Sequence, residues 1–416
     1  QSLLPHYTPD GVMALMETRL SKAVLGINPS PTEATSSLAN RMRRDGIDII
    51  SFAQGEPDFD TPPDISLEAV RAVVEGYTRY TDVPGMRDVR EAVAEKFGRE
   101  NGIRYTPSEV MVSNGGKQVL YLLFRTICDP GDEVVVPTPC YVSYEEQIRL
   151  SGASPVFAPV SEDRSFRIAR DDIEPFITPR TKAVIINSPN NPTGAVCEES
   201  DLRAIAALAA ERGIFIVTDE VYEHLLYDGR KHVSIAALGD EAKRIAVTVN
   251  SASKTYAMTG WRIGYAGGPE DVISGMITLQ GHVSGNVCSV AQRALLQALR
   301  GPQNAVAAMR DSYARRRDLM VEKIGSIPGL RCRKPDGAFY VFADVTGLFG
   351  KRWREGILEN DLDTAAFFLK EAHVAVVPGT AFRRNGYVRF VFANSEEDIV
   401  RGFDRIGSAV ASGLKD

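Results

Sequence analysis

The chain has 416 residues, of which 44% are hydrophobic and 25% charged, and its formal net charge is −6 at pH 7. This length and composition are typical of a globular protein with one large core or two, and the negative charge argues against a nucleic-acid-binding surface. No apolar run approaches the roughly 20 residues that a membrane-spanning helix needs, so we expect no membrane partner.

The cysteines and histidines give no sign of a disulfide framework or a metal site. The five cysteines are irregularly spaced, and the five histidines form no pair with metal-ligand spacing. The first ten residues, QSLLPHYTPD, lack the basic and apolar regions of a signal peptide. We therefore expect free thiols, no bound metal and a cytoplasmic location.

Between about residues 105 and 270, short β-branched runs alternate with longer amphipathic stretches. This alternation predicts parallel strands joined by helices, in an α/β arrangement with helices on both faces of the sheet. The clearest helix has its N-cap at Ser200–Asp201 and stops at Gly213. The predicted strands are Glu109–Val112, Glu133–Val136, Ala183–Asn187, Ile214–Val217, Ile245–Val249 and Ile263–Ala266.

After about residue 300 the pattern changes to that of a smaller α+β region. It begins with a long charged helix, Asn304–Ile324, whose arginines we expect to form a solvated face. Residues 345–362 are predicted to be a surface insertion. The other predicted elements are strands at Ala338–Ala343, Val374–Val377 and Tyr387–Phe392 and helices at Thr364–Ala372 and Glu396–Leu414.

Polar segments follow five of the predicted strands at the point where each strand ends. Because ligands of an open parallel sheet bind beyond the carboxyl ends of its strands, we expect these segments to meet at one edge. Each segment alone has a plainer interpretation as a turn, a helix cap or a solvent-facing lysine, but these interpretations do not explain the convergence. The segments are SNGGKQ (113–118), PTPCY (137–141), SPNNPTG (188–194), TDEVY (218–222) and NSASK (250–254).

One part of this predicted edge suits a phosphate. Gly115 and Gly116, at the start of a helix, expose backbone N–H groups to an anion. Ser251, Ser253 and Arg262 can add two hydroxyls and a guanidinium.

The other groups suit a flat, aromatic aldehyde. Tyr141 offers a ring face, and Asp219 offers a carboxylate that would keep a ring nitrogen protonated. Asn191 and Tyr222 can hydrogen-bond a phenolate oxygen of the ring, and Lys254 can form a Schiff base with the aldehyde. A phosphate, a basic ring nitrogen, a phenolate and an aldehyde together describe pyridoxal 5′-phosphate.

Seven motifs resemble those of the class I/II aminotransferases, which are fold-type I enzymes, and they keep that family's order from about Pro29 to the C-terminus. Their details are most similar to the bacterial aspartate aminotransferase-like branch. The motifs are S-K-x₅-G-x-R-x-G (253–264), SPNNPTG (188–194), DEVY (219–222), GEPDFDTP (55–62), SNGGKQ (113–118), YTDVPG (80–85) and PGTAF with VRF (378–390).

The resemblance implies a fold and a domain organisation. The large pyridoxal-phosphate-binding domain would span residues 61–300, with a mostly parallel seven-stranded sheet between helices. Residues 1–60 would form an N-terminal arm and a segment of the small domain, and residues 301–416 the α+β C-terminal domain. The resemblance also implies a homodimer with shared active sites.

The resemblance adds roles for particular residues. Lys254 would be the Schiff-base lysine and proton shuttle, with Asp219, Asn191 and Tyr222 on the ring as described. Arg389 would bind the substrate α-carboxylate, assisted by Asn191 and the Gly55 backbone. Further expected positions are Tyr80 of a partner subunit at the cofactor phosphate, Lys117 at the cofactor and at a distal substrate carboxylate, and Thr32 on the substrate side.

Some positions depart from the family pattern. Tyr141 stands where close members have tryptophan, Cys140 stands where they have tyrosine, and Ser251 replaces a common glycine. An arginine that reads the distal carboxylate in another branch has no counterpart, because residues 263–292 contain no Arg or Lys. Lys117 pointing to solvent and Thr32 capping a helix remain open as alternatives.

The implied function is transfer of an amino group from an L-amino acid to a 2-oxo acid by a ping-pong mechanism, with aspartate and glutamate as the substrates suggested by the branch. The same scaffold could instead carry out racemisation, elimination or oxidation of an amino acid in a specialised pathway. A nicotinamide dehydrogenase is disfavoured because no G-x-G-x-x-G motif follows the first strand. A DNA-binding regulator is disfavoured because only about 30 residues precede Pro29.

Overall fold

A seven-stranded sheet lies at the centre of the protein in the computed structural model, which describes residues 20–415. The strands are β1 (Ile50–Ser51), β2 (Val110–Ser113), β3 (Glu133–Thr138), β4 (Ser154–Pro159), β5 (Thr181–Asn187), β6 (Phe215–Asp219), β7 (Ala246–Ser251), β8 (Gly264–Gly267), β9 (Arg331–Cys332), β10 (Tyr340–Asp344), β11 (Arg352–Trp353), β12 (Gly356–Ile357), β13 (Val374–Ala375), β14 (Val377–Pro378) and β15 (Tyr387–Val391). The central sheet has the order β2-β8-β7-β6-β5-β3-β4, and only the two pairs that include β8 are antiparallel. The predicted mostly parallel sheet is therefore confirmed.

Helices cover both faces of the central sheet because its strands are apolar on both sides. Along β3, Val134 and Val136 pack into one hydrophobic cluster, whereas Val135 packs into another on the opposite face. The helices are α1 (Lys22–Leu25), α2 (Pro31–Arg44), α3 (Pro63–Val74), α4 (Arg87–Lys96), α5 (Gly116–Ile127), α6 (Ser143–Leu150), α7 (Arg170–Ile173), α8 (Glu199–Arg212), α9 (Asp240–Ile245), α10 (Ala252–Thr255), α11 (Glu270–Val283), α12 (Ser289–Arg300), α13 (Asn304–Gly325), α14 (Asp361–Glu371) and α15 (Glu396–Gly413). Among the helices of residues 20–415, none combines the length and the hydropathy that a membrane-spanning segment needs.

A second sheet forms from the C-terminal part of the chain. Its four strands are antiparallel in the order β14-β15-β10-β9. β1, near the start of the described chain, pairs in parallel with β13, so an early segment joins the C-terminal region. The domain boundaries at residues 60 and 300 stay predictions, and residues 1–19 of the predicted arm lie outside the described residues.

Two details of the predicted elements were wrong: the start of one helix and the absence of one strand. α8 begins at Glu199 with Glu198 as its N-cap, ahead of the predicted cap at Ser200–Asp201, whereas Gly213 ends the helix in a left-handed conformation as expected. β4 was missing from the predicted strands because its sequence, SPVFAP, is short and carries two prolines. Such a strand is tolerated at the edge of the sheet, where β4 lies.

The arginines of α13 do not all form a solvated face, contrary to the prediction. Arg310 and Arg315 are exposed, but Arg317 is fully buried. Position 317 lies on the same face as the buried Tyr313 and Met320, one helical turn from each. The Arg317 guanidinium is stabilised there by ion pairs with Asp228 and Asp318 and by the Tyr227 ring, 4.7 Å away.

The predicted surface insertion at 345–362 is only partly exposed. The antiparallel pair β11 and β12 lies at the surface, with Ile357 41% exposed. Leu348 and Leu358 are fully buried in the C-terminal core and anchor the segment.

Candidate active site

A cavity of about 470 Å³ lies at the carboxyl ends of the central strands, as the strand-end polar groups predicted. Tyr80 does not line this cavity and is 97% exposed on the single chain. Gly115 does not line the cavity itself but lies against the guanidinium of Arg262, which does. The other predicted residues line it: Thr32, Gly55, Gly116, Lys117, Tyr141, Asn191, Asp219, Tyr222, Ser251, Ser253, Lys254, Arg262 and Arg389.

The glycines between β2 and α5 allow a close approach of backbone and guanidinium. Gly115 has φ +86°, and a Cβ there would lie 2.6 Å from Nη2 of Arg262. A Cβ at Gly264 would lie 2.6 Å from the Gly116 nitrogen. Because α5 starts at Gly116, its free N–H groups and the Arg262 guanidinium converge on one place, which suits an anion.

Ser251 and Ser253 lie beside this turn at the end of β7. The Ser251 hydroxyl donates to the Ile263 carbonyl oxygen at 2.9 Å and accepts from the Ser253 N–H at 3.1 Å. Its proton is thus used within the protein, and the two hydroxyl oxygens are 2.8 Å apart. The expected contact of these serines with a phosphate stays a prediction.

Lys254 is held over the cavity by the short helix α10. Its Nζ donates to the Gly55 carbonyl oxygen at 2.6 Å. Burial is the main reason that the pKa of Lys254 is lowered to about 8; Glu56 opposes this shift, whereas the nearby Arg389 and Arg262 contribute to it. The amine is therefore neutral in a larger fraction of molecules at neutral pH than an exposed lysine would be.

Asp219 is the last residue of β6 and its carboxylate is buried. Burial raises its pKa to about 6, although the Tyr144 hydroxyl donates to Oδ2 at 2.7 Å and lowers it. Asp219 forms no ion pair within residues 20–415. A buried carboxylate of this kind would be stabilised by a cation, such as a protonated ring nitrogen.

Arg389, on β15, brings the second sheet to the same cavity and is only 2% exposed. Nη1 donates to Asn191 Oδ1 at 2.9 Å and Nη2 donates to the Ala53 carbonyl oxygen at 2.7 Å, while Nε has no partner. The rings of Tyr340 and Phe382 lie 4.6 and 4.8 Å from the guanidinium carbon.

The guanidinium of Arg389 is nevertheless a charge without a counter-ion. Burial lowers the pKa of Arg389, and no carboxylate in the described chain forms an ion pair with it. Because a buried unpaired charge is costly, this guanidinium is suited to bind an anion that enters the cavity.

Two tyrosines at the cavity were not predicted. The Tyr340 hydroxyl lies 2.6 Å from the Tyr222 hydroxyl, and Tyr144 bonds Asp219 as described. Tyr144 lies three residues after Tyr141, so its position just after β3 could have predicted that it lies at the cavity. Tyr340 belongs to the second sheet, and no local pattern could place it against the first.

Lys117 and Thr32 lie at the outer part of the cavity. The Lys117 side chain is 48% exposed and its Nζ is 3.7 Å from Oε1 of Glu33. Thr32 does not cap α2, since Ser30 is the N-cap and Thr32 Oγ1 is 3.0 Å from the Ser30 hydroxyl. Both residues line the cavity, and each has a polar neighbour at the start of α2.

A buried polar network supports the turn that carries Asp219 and Tyr222. Glu223 accepts hydrogen bonds from Lys96, Asn101 and Asn250. Burial alone would raise its pKa, but the ammonium of Lys96 and two nearby histidines hold the pKa of Glu223 at about 2. Sequence spacing did not reveal this network, because its members come from distant parts of the chain.

Comparisons with known proteins agree with this geometry. The sequence profile of a family described as "Aminotransferase class I and II" matches residues 47–406. A "Probable aspartate/prephenate aminotransferase" of Aquifex aeolicus is 45% identical, over 95% of this chain and 99% of that protein. The "Aspartate aminotransferase" of Geobacillus stearothermophilus is 42% identical over 93% and 98% of the two chains. The solved structure of a Thermus thermophilus aspartate aminotransferase with maleate has a TM-score of 0.88 at 43% identity, covering 94% of this chain and 99% of that chain.

Proposed function

Because the chain belongs to the class I and II aminotransferases, we propose that it transfers the amino group of aspartate or glutamate to a 2-oxo acid. The family match confirms the resemblance that the motifs indicated and, with it, an aminotransferase that depends on pyridoxal phosphate. Aspartate is supported by the relatives' names. The observation that carries the proposal is the buried guanidinium of Arg389, which has no counter-ion in the described chain and lies at the same cavity as the Lys254 amine.

The side chains at the cavity fit pyridoxal phosphate. Asp219 is a buried carboxylate without an ion pair in residues 20–415, and a protonated ring nitrogen would supply one. Gly115, Gly116 and Arg262 form a cradle for a phosphate, and the Lys254 amine lines the same cavity. When bound, the cofactor supplies an aldehyde that condenses with amines and a protonated ring that draws electrons from the substrate Cα–H bond.

Each side chain has a part in the proposed reaction. Lys254 Nζ removes the proton from the substrate Cα and later returns it to the reacting group, which requires the neutral amine that burial favours. Arg389 binds the α-carboxylate and so fixes the direction of the Cα–H bond. Tyr222 and Asn191 would hydrogen-bond the ring oxygen of the bound cofactor, and Tyr340, whose hydroxyl lies 2.6 Å from that of Tyr222, would hold Tyr222 in place.

Replacing Lys117 by alanine tests the substrate class. Lys117 lies at the outer cavity, where the distal carboxylate of aspartate or glutamate would reach. We expect Lys117→Ala to raise KM for aspartate roughly ten- to hundredfold more than KM for alanine, since a charged hydrogen bond contributes about 1.5–3 kcal/mol. The measurement is the half-reaction, followed by the absorbance change of the bound cofactor with each amino acid. Equal losses for aspartate and alanine would contradict a role of Lys117 at the distal carboxylate. If no amino acid converts the cofactor of the wild-type enzyme, transamination itself is contradicted.

We also propose a homodimer in which Tyr80 reaches the cofactor phosphate of the partner subunit. The outer face of α3 carries an apolar patch that nothing in the described chain covers. Its exposed side chains are Leu67, Val70, Val73 and Val74, which are 67%, 61%, 53% and 81% exposed. A cytoplasmic location is part of the same proposal, and the five cysteines are free, as is usual in that compartment.

Charges placed on this patch should separate the subunits. We expect the double variant Val70→Glu, Val74→Glu to sediment as a monomer, because apolar surface of this kind is buried in stable dimers. We also expect it to lose bound cofactor, because a monomer lacks the proposed contact between Tyr80 and the cofactor phosphate of the partner subunit. Analytical ultracentrifugation with an absorbance scan of the cofactor measures both effects. A monomeric wild-type protein, or a double variant that remains dimeric, would contradict this use of α3.

A further inference from the structure

Lys117 already has an anionic neighbour within the protein. Oε1 of Glu33, on the first turn of α2, lies 3.7 Å from Lys117 Nζ, and both residues line the cavity. The Lys117 backbone is fixed, because Gln147 Nε2 donates to its carbonyl oxygen at 2.7 Å. The side chains of the pair are open to solvent, since Glu33 is 73% exposed and Lys117 is 48% exposed.

The fold does not need this ion pair. The start of α2 is capped by Ser30, whose hydroxyl accepts from the Glu33 N–H at 3.4 Å. An exposed pair at this distance, without a hydrogen bond, contributes little to stability. A carboxylate arriving from solution can therefore replace Glu33 at the Lys117 ammonium.

We propose that Glu33 competes with the distal carboxylate of a dicarboxylate substrate for Lys117, and so determines how strongly the site prefers dicarboxylates to amino acids with neutral side chains. The inference rests on the proposed function and deepens it. Two effects act together: Glu33 partly neutralises Lys117, and its own negative charge opposes a second carboxylate nearby. A substrate with an uncharged side chain experiences neither effect.

Glu33→Gln removes the charge while keeping a residue that suits the third position of the helix. We expect the ratio of KM for aspartate to KM for alanine to fall about two- to fivefold, the range for one exposed ion pair. Added potassium chloride should shrink this difference between variant and wild type, because exposed charges are screened. Asp45→Asn, at the exposed C-terminal end of the same helix, is the matched control and should leave the ratio at its wild-type value.

The experiment measures half-reactions of the loaded enzyme with aspartate and with alanine, at low and high salt, for the wild type, both variants and Lys117→Ala with and without Glu33→Gln. Support requires a lower ratio for Glu33→Gln, a smaller effect in high salt and a smaller effect when Lys117 is absent. Equal changes for both amino acids, or an effect of the same size without Lys117, would overturn the competition. If the wild type converts amino acids and only the ratio is unchanged, this inference alone fails, whereas a wild type that converts none overturns the proposed function as well.

Discussion

Lys254→Ala is expected to lower the rate of amino-group transfer by at least about 10²–10⁴-fold, the usual contribution of a positioned base. The amine is the only one in the described chain that lies at the cavity beside both Asp219 and Arg389, and burial lowers its pKa to about 8. The guanidinium groups at this cavity cannot replace the amine as a base, because arginine keeps its proton in proteins. Single-turnover kinetics with aspartate would measure the loss.

A second readout reports directly on the attachment of the cofactor to Lys254. The wild type should carry a visible absorbance band from cofactor bound covalently to Lys254, and Lys254→Ala should lose that band. Lys243→Ala is a matched control, since Lys243 is paired with Glu109 at 2.8 Å and lies outside the cavity. Near-normal turnover by Lys254→Ala would remove the basis of the proposed mechanism.

Arg389→Ala is expected to raise KM for every amino acid, whatever its side chain. Each charged hydrogen bond to the α-carboxylate is worth about 1.5–3 kcal/mol, so losing a pair of them should lower kcat/KM by roughly 10²–10⁴-fold. The loss should also be large because the variant leaves the Asn191 amide oxygen and the Ala53 carbonyl oxygen without their donors. Half-reaction kinetics with aspartate and alanine measure the effect.

Arg389→Lys and Arg331→Ala serve as comparisons for this variant. Lysine keeps the charge but lacks the planar fork of the guanidinium, so it should recover only part of the affinity. Arg331 lies in the same sheet and is mostly exposed, pairing with Asp344, so its removal should leave KM unchanged. An unaffected KM in Arg389→Ala would mean that the α-carboxylate is held by another group.

Much of the central sheet and its ligand edge could be predicted from the sequence because the information is local. Asp219 is the last residue of β6, and Lys254 comes three residues after the end of β7. Parallel strands place such residues at one edge whatever the rest of the fold does. The resemblance then extended the prediction to Arg389, which lies in a different sheet.

Features that depend on tertiary packing could not be predicted in this way. Arg317 belongs to a run of charges that indicated a solvated face, yet the packing of α13 places it inside the core. Tyr340 meets Tyr222 only because the two sheets are docked against each other. Glu33 belongs to a helix remote from Lys117 in sequence, so nothing in its local pattern pointed to the ion pair.

The attachment of Arg389 has a consequence for recombining this enzyme with its relatives. The guanidinium is held by a carbonyl oxygen at residue 53, by an amide at residue 191 and by its own strand near the C-terminus. A chimera with a crossover near residue 300 would combine an arginine from one parent with two acceptors from the other. Successful shuffling in this family should therefore exchange these three segments as a single unit, even though more than three hundred positions separate the first from the last.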